Sequence, residues 1–175
     1  MNMDKMFDIF AGLAFAAVII VVTYILRKEE RERGENKYDE RQLMLRAEGN
    51  KKGFHTTIIT GALAVFLLET GIVPPASATL AIYAALMIGL VTFAVFCIQK
   101  DVFFHIGEKG GYYLGLSALI VLTDGAVSVI QIVDGSILED GVPTFSSCNA
   151  LVMALAFLVI LIALLIRKFA GERDE

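Results

Sequence analysis

Lysine and arginine are missing from most of this chain. Of its fifteen, all but Lys5 fall in three of the stretches that separate long apolar runs. Arg27, Lys28, Arg31, Arg33, Lys37, Arg41, Arg46, Lys51 and Lys52 lie between the first and second runs. Lys100 and Lys109 lie between the third and fourth, and Arg167, Lys168 and Arg173 follow the fifth. The alternate stretches hold none. Basic residues are retained on the cytoplasmic side of a membrane, so these gaps set a topology. Other absences exclude chemistries. No P-loop, His-Glu-x-x-His or Gly-x-Ser-x-Gly sequence occurs, so the sequence carries none of the common phosphate-binding, zinc-protease or serine-hydrolase signatures. Only two cysteines are present. Cys97 falls near the inner end of the third run and Cys148 near the outer start of the fifth, ~30 Å apart in depth by helix rise. That is beyond disulfide reach. Neither has a His or second Cys at metal-ligand spacing, so both read as small apolar packing residues, and no metal or cofactor is expected.

What is abundant is apolar surface. The chain is 57% hydrophobic, with a mean hydropathy of +0.69, and a membrane span needs ~20 apolar residues. Five segments qualify: Phe7–Leu26, Phe54–Val73, Ala78–Ile98, Tyr112–Val133 and Asn149–Ile166. The expected fold is an all-α polytopic membrane helical bundle, a single transmembrane domain over 1–175. The N-terminus is expected outside and the C-terminus in the cytoplasm, with Arg27–Gly53 as the one sizeable cytoplasmic segment. The first run reads as a retained helix, because its positive cluster follows the apolar core and Asp8 precedes it.

The outer side carries acids: Asp4, Asp8, Glu69, Asp124, Asp134, Glu139 and Asp140, against Lys5 alone. Such a face raises the local cation concentration; its plainer meaning is solvation and topology. The basic segment 27–53 also holds seven acids, which removes the positive field that a nucleic-acid partner requires.

Local signals punctuate the spans. Pro74-Pro75 cannot continue the second helix, and Ser77 is placed to cap the third. Asp134–Ser147, with Gly135, Gly141 and Pro143, predicts an irregular outer loop. Phe103, Phe104, Tyr112 and Tyr113 fit the aromatic belt at headgroup depth, with His105 as an interfacial bystander. Asp39-Glu40-Arg41-Gln42 forms a capping box, in which Asp39 is the N-cap and Gln42 reaches back from N3. The helix it starts either lies at the inner headgroups or runs into the second span through Gly49 and Gly53. Small residues predict packing faces at Gly12 and Ala16, at Thr57 and Gly61, and at Ala81, Ala85 and Gly89.

Asp124 is the sharpest candidate for chemistry. It lies ~20 Å from the inner end of the fourth span at helical rise, where a carboxylate is costly and a functional candidate by default. Ser117, Val121, Asp124, Ser128 and Gln131 share one helix face, which should turn inward. Glu69 reaches a similar depth, ~24 Å along the second span. No Lys or Arg lies within a span, so the two acids must be protonated, hydrogen-bonded or loaded with a cation. Asp124-Gly125-Ala126 shares its opening with membrane alcohol phosphotransferases, but Val127-Ser128 stands where that motif needs Ala-Arg, and the match is rejected.

Lys37-Tyr38-Asp39-Glu40-Arg41-Gln42, followed by Arg46, Gly49 and Phe54 at the entry to a span, resembles a motif of uncharacterised small bacterial multi-span membrane proteins. These share an Asp-Glu-Arg-Gln/Glu stretch on the cytoplasmic side before a transmembrane helix. The resemblance covers about twenty residues and implies a multi-pass protein of the bacterial cytoplasmic (inner) membrane. It implies no activity. The leading expectation is a non-enzymatic protein acting by helix association in the lipid bilayer, as a homo-oligomer or an accessory or regulatory subunit. Asp39, Glu40, Arg41, Gln42 and Arg46 would form its cytoplasmic contact surface. The alternative is a cation- or proton-coupled small transporter using Asp124 and Glu69, with Ser117, Ser128 and Gln131 beside them. A third is a membrane-embedded lipid-modifying enzyme.

Overall fold

Helix α1 runs unbroken from Glu40 to Glu69. Gly49 and Gly53 do not interrupt it, so the segment after the capping box continues into the second apolar run instead of lying flat. The computed structural model describes residues 39–104 and 111–171. Three further helices follow: α2 Ala78–Gln99, α3 Gly111–Val133 and α4 Phe145–Gly171. A single 3₁₀ turn, Pro75–Ser77, leads into α2. Among the described residues no strand occurs, and the one extended pairing is the Glu139–Val142 bridge.

Among the described residues three helices are long and apolar enough to cross a membrane: Pro75–Gln99, Gly111–Val133 and Phe145–Phe169. Helix α1 is not among them. Its apolar part, Phe54–Leu68, is fifteen residues, or ~22 Å at helical rise, against a hydrocarbon layer of ~30 Å. His55, Thr56, Thr57 and Thr60 dilute it further. The run expected to continue to Val73 stops at Glu69, because Gly71 takes φ +73 and its N–H bonds Leu68 O at 3.1 Å. That left-handed residue closes the helix. The first expected span, Phe7–Leu26, lies outside the described residues, as do Gly12, Ala16 and His105.

Packing does not follow chain order. Helix α2 holds α1 on one side and α4 on the other, and α4 in turn holds α3. The order is therefore α1, α2, α4, α3. Helix α3 is peripheral, with 11% of its span buried against 28% for α2 and α4.

The α1–α2 crossing is a meeting of backbones. A Cβ added to Gly53 would stand 2.9 Å from Gly89 O, and one added to Gly89 would stand 2.9 Å from Gly53 O and overlap the Thr57 hydroxyl. Gly49 meets Cys97, Phe96 and Phe93 in the same way. Thr60 Oγ1 donates across the seam to Ala85 O at 3.3 Å. Without a hydrophobic drive between helices in lipid, such close approach supplies the attraction through dispersion. The stripe on α1 is therefore Gly49, Gly53, Thr57, Thr60 and Ala64. Gly61, expected on it, lies ~40° further round the helix than Thr57, on the flank of the stripe, and a Cβ there meets nothing within 4 Å among the described residues. Ala85 and Gly89 are buried as expected, while Ala81 is only half-buried.

Between α2 and α4 the core is Ala94, Ile98, Ile160 and Leu164, and Phe103, Phe104 and Tyr113 pack onto it. These rings stand 5.2 to 5.7 Å apart, mostly edge to face. They pack against the end of the α2–α4 core; Tyr112, at 72% exposure, is the ring that points outward.

The segment between α3 and α4 is ordered by its own polar groups. Asp140 and Gly141 both have positive φ, and Glu139 and Val142 exchange both backbone bonds at 3.0 and 2.9 Å. This is the tight turn that an Asp-Gly pair favours. Ser77 does not cap α2 with its side chain. The preceding 3₁₀ turn directs its hydroxyl instead to Pro143 O, at 2.6 Å, tying the start of α2 to the segment before α4. Cys97 and Cys148 are both buried and free, in keeping with packing roles.

Candidate functional site

The turn that follows α2 gathers directed polar contacts from both α1 and α4. Helix α2 ends in a Schellman motif: Asp101 N–H bonds Ile98 O at 3.2 Å and Val102 N–H bonds Cys97 O at 2.9 Å. Asp101 takes the left-handed position usually given to glycine, at φ 57, which an aspartate tolerates better than most residues. The turn buries Val102 to 2% exposure and presents three groups outward. The Asp101 carboxylate accepts a bidentate pair from Nε and Nη2 of Arg167 at the end of α4. The carbonyls of Val102 and Phe103 accept from Arg46 Nη1 of α1, at 3.1 and 3.2 Å. One guanidinium thus ties α1 to the loop after α2, and another ties that loop to α4. Arg46 also stands 6.0 Å from the Phe93 ring centroid.

Upstream, the capping box is present as expected: Gln42 N–H donates to Asp39 Oδ1 at 2.6 Å, and Asp39 N–H to Gln42 Oε1 at 3.3 Å. Asp39 and Gln42 therefore serve their own helix, and Arg46 serves the interior of the bundle. Of the expected contact residues, Glu40 and Arg41 are left exposed on the first turn, beside Leu43 and Met44 at 47% and 75% exposure. Lys52 stands 3.9 Å over the Phe96 ring and 2.9 Å from Glu48. That hydrogen bond and charge hold the Glu48 carboxyl below the usual carboxylate range.

The polar stripe on α3 does turn inward. Ser117 and Ser128 are buried at 4% and 3% exposure, and Ser128 Oγ donates to Asp124 O at 2.7 Å. Asp124 and Gln131 are half-buried, and the Gln131 Oε1 atom is buried without a hydrogen-bond partner among the described residues. Asp124 lies within electrostatic reach of the Tyr83 hydroxyl on α2. That hydroxyl donates to Met153 Sδ of α4 at 3.6 Å, and the Tyr83 ring meets Phe145 at 5.1 Å. Glu69 does not join this group. It is exposed at the end of α1, and α2 and α4 stand between its helix and α3.

In the segment between α3 and α4, the Ser136 hydroxyl and N–H hold the Asp134 carboxyl below its ordinary range. Ser146 does the same for Glu139, through a 2.5 Å hydrogen bond. These acids are stabilised as anions by local donors. Among the described residues no group of His, Cys, Asp and Glu is placed to hold a metal ion.

Sequence reasoning missed Tyr83, Asp101 and Arg167. Asp101 and Arg167 are opposite charges just past α2 and near the end of α4, a pairing that the expected topology could have suggested. Tyr83 gave no signal, since a tyrosine in an apolar run reads as core. Compared with known families, curated proteins and solved structures, the chain matches none.

Proposed function

We propose that this chain is a five-span protein of a bacterial cytoplasmic membrane, N-terminus outside and C-terminus inside, acting by helix association rather than catalysis; the short apolar part of α1 would serve as its second span with local thinning of the bilayer. It works as a homo-oligomer or as an accessory subunit of a membrane complex. The observation that carries this reading is the first turn of α1. Glu40, Arg41, Leu43 and Met44 leave mixed charge and apolar surface exposed, on a helix end fixed by a capping box and by Arg46. A rigid amphipathic patch of this kind costs little entropy to bind. Gentle extraction from the native membrane should recover a second copy or another membrane subunit. The pair Arg41→Glu and Met44→Glu should weaken that association at least about tenfold, the effect of losing one hot spot. A wild-type chain that elutes as a lone monomer in mild detergent overturns the reading.

A second reading is favoured by the half-buried Asp124 on the stripe of α3 that also buries Ser117 and Ser128. A carboxyl at that depth with no cationic partner in any span is suited to binding and releasing a proton. In this reading the chain is a small proton-coupled carrier, with Ser128 and Gln131 flanking the carboxyl and Glu69 outside the path. Asp124→Asn should abolish proton flux in reconstituted vesicles. Flux that survives the substitution, or its absence in wild type, sinks the carrier.

A further inference from the structure

An open groove of about 340 Å³ runs between the inner halves of α2 and α4. Its wall is apolar, with Val95, Val159, Ile162 and Ile166 along it, and polar side chains enter only at one end, from Gln99 and Arg167. The Asp101 carboxylate grips Arg167 there and fixes the guanidinium at the mouth. Lys100 and Lys168 follow the two rim residues in the chain, and both are exposed. Among the described residues, three cations against one acid leave the rim net positive.

We propose that this groove binds an anionic phospholipid, with an acyl chain along the α2–α4 seam and the phosphate at the Arg167 rim. From Val159 to Arg167 the wall runs ~12 Å at helical rise, a length that part of one acyl chain covers with its end at the Arg167 rim. The charge selects an anionic headgroup. Guanidinium pairs with phosphate through directed hydrogen bonds, and the lysines add a field without fixed geometry. Ile162 and Ile166, at 47% and 64% exposure, need an apolar cover that water does not give.

The test is native mass spectrometry of the full chain released from nanodiscs containing phosphatidylglycerol and phosphatidylcholine in equal amounts. Wild type is expected to retain phosphatidylglycerol preferentially, and Arg167→Gln to lower that retention about fivefold, the weight of one basic residue at a membrane surface. Because Arg167→Gln also breaks the Asp101 pair, Ile162→Trp supplies an independent check: its side chain lies on the groove wall and fills it, so lipid retention should fall with the helical content unchanged. Equal retention of both lipids by wild type overturns the proposal. So does phosphatidylglycerol binding that Ile162→Trp leaves intact. Efficient cross-linking of Ile162→Cys between two copies also overturns it, by showing that a second chain covers the groove.

Discussion

Gly89→Leu is expected to be the most damaging single substitution in the described part of the chain, lowering stability by about 3 kcal/mol. The reason is the absence of anywhere to go. A Cβ at position 89 overlaps Thr57 Oγ1 and stands 2.9 Å from Gly53 O, so relief requires α1 and α2 to separate. Separation forfeits the dispersion contacts along Gly49, Gly53 and Thr57 and the Thr60 bond to Ala85 O. Unfolding in mixed micelles by titrated SDS, followed by far-ultraviolet circular dichroism, measures the loss. Gly61→Leu is the control. Position 61 meets nothing within 4 Å, and replacing a mid-helix glycine there should leave stability within ~1 kcal/mol of wild type. Equal effects at the two positions would mean that the crossing is not built on Gly89.

Arg46→Met should cost about 2 to 3 kcal/mol in the same assay, the worth of hydrogen bonds to a charged donor whose acceptors are then stranded. The thioether keeps much of the apolar stem that lies beside Phe93 but offers nothing to the Val102 and Phe103 carbonyls. Arg46→Lys should recover only part of the loss, because an ammonium lacks the fork that meets two carbonyls from one rigid plane. Hydrogen exchange gives the local signature: amides of Asp101 and Val102, closed onto Ile98 and Cys97 in wild type, should exchange faster in Arg46→Met. Protection that stays unchanged there would contradict the role assigned to Arg46.

The two substitutions also mark how far residue types alone could be read. Gly89 was legible as a packing residue, because small residues at helical spacing in an apolar run have few other uses. Its partner face was not. Thr57 was expected with Gly61, four residues on, whereas the stripe extends the other way to Gly53 and Gly49. Periodicity gives a set of equivalent faces, and only the crossing of a particular second helix selects one. Arg46 was legible as a cation at the inner end of a span, and it read as a group awaiting an external partner. The carbonyls that take it come from residues more than fifty positions later, and no local pattern announces a contact of that range.

The same division holds for the candidate chemistry. That Asp124 belongs to an inward-facing stripe follows from the 4, 3, 4 and 3 spacing of Ser117, Val121, Asp124, Ser128 and Gln131, and Ser117 and Ser128 are indeed buried. That Glu69 stands apart from it does not follow from spacing. Depth along a helix is a one-dimensional quantity, fixed by rise per residue, so the two acids could be placed at similar levels from sequence. Which helices lie between them is a matter of packing order.

By itself, then, the sequence determined the helical class of the chain, the apolar runs, the capping box at Asp39 and the inward face of α3. Each rests on a regularity that repeats within a few residues: hydrophobic period, residue propensity, a donor and acceptor three positions apart. The tertiary structure decided that α1 runs through Gly49 and Gly53, that α4 lies between α2 and α3, and that Arg46 and Arg167 converge on the turn after α2. Those outcomes depend on which surfaces meet across the chain. Close approach of Gly53 and Gly89 and the guanidinium bonds to the 101–103 turn exist only once distant segments are side by side.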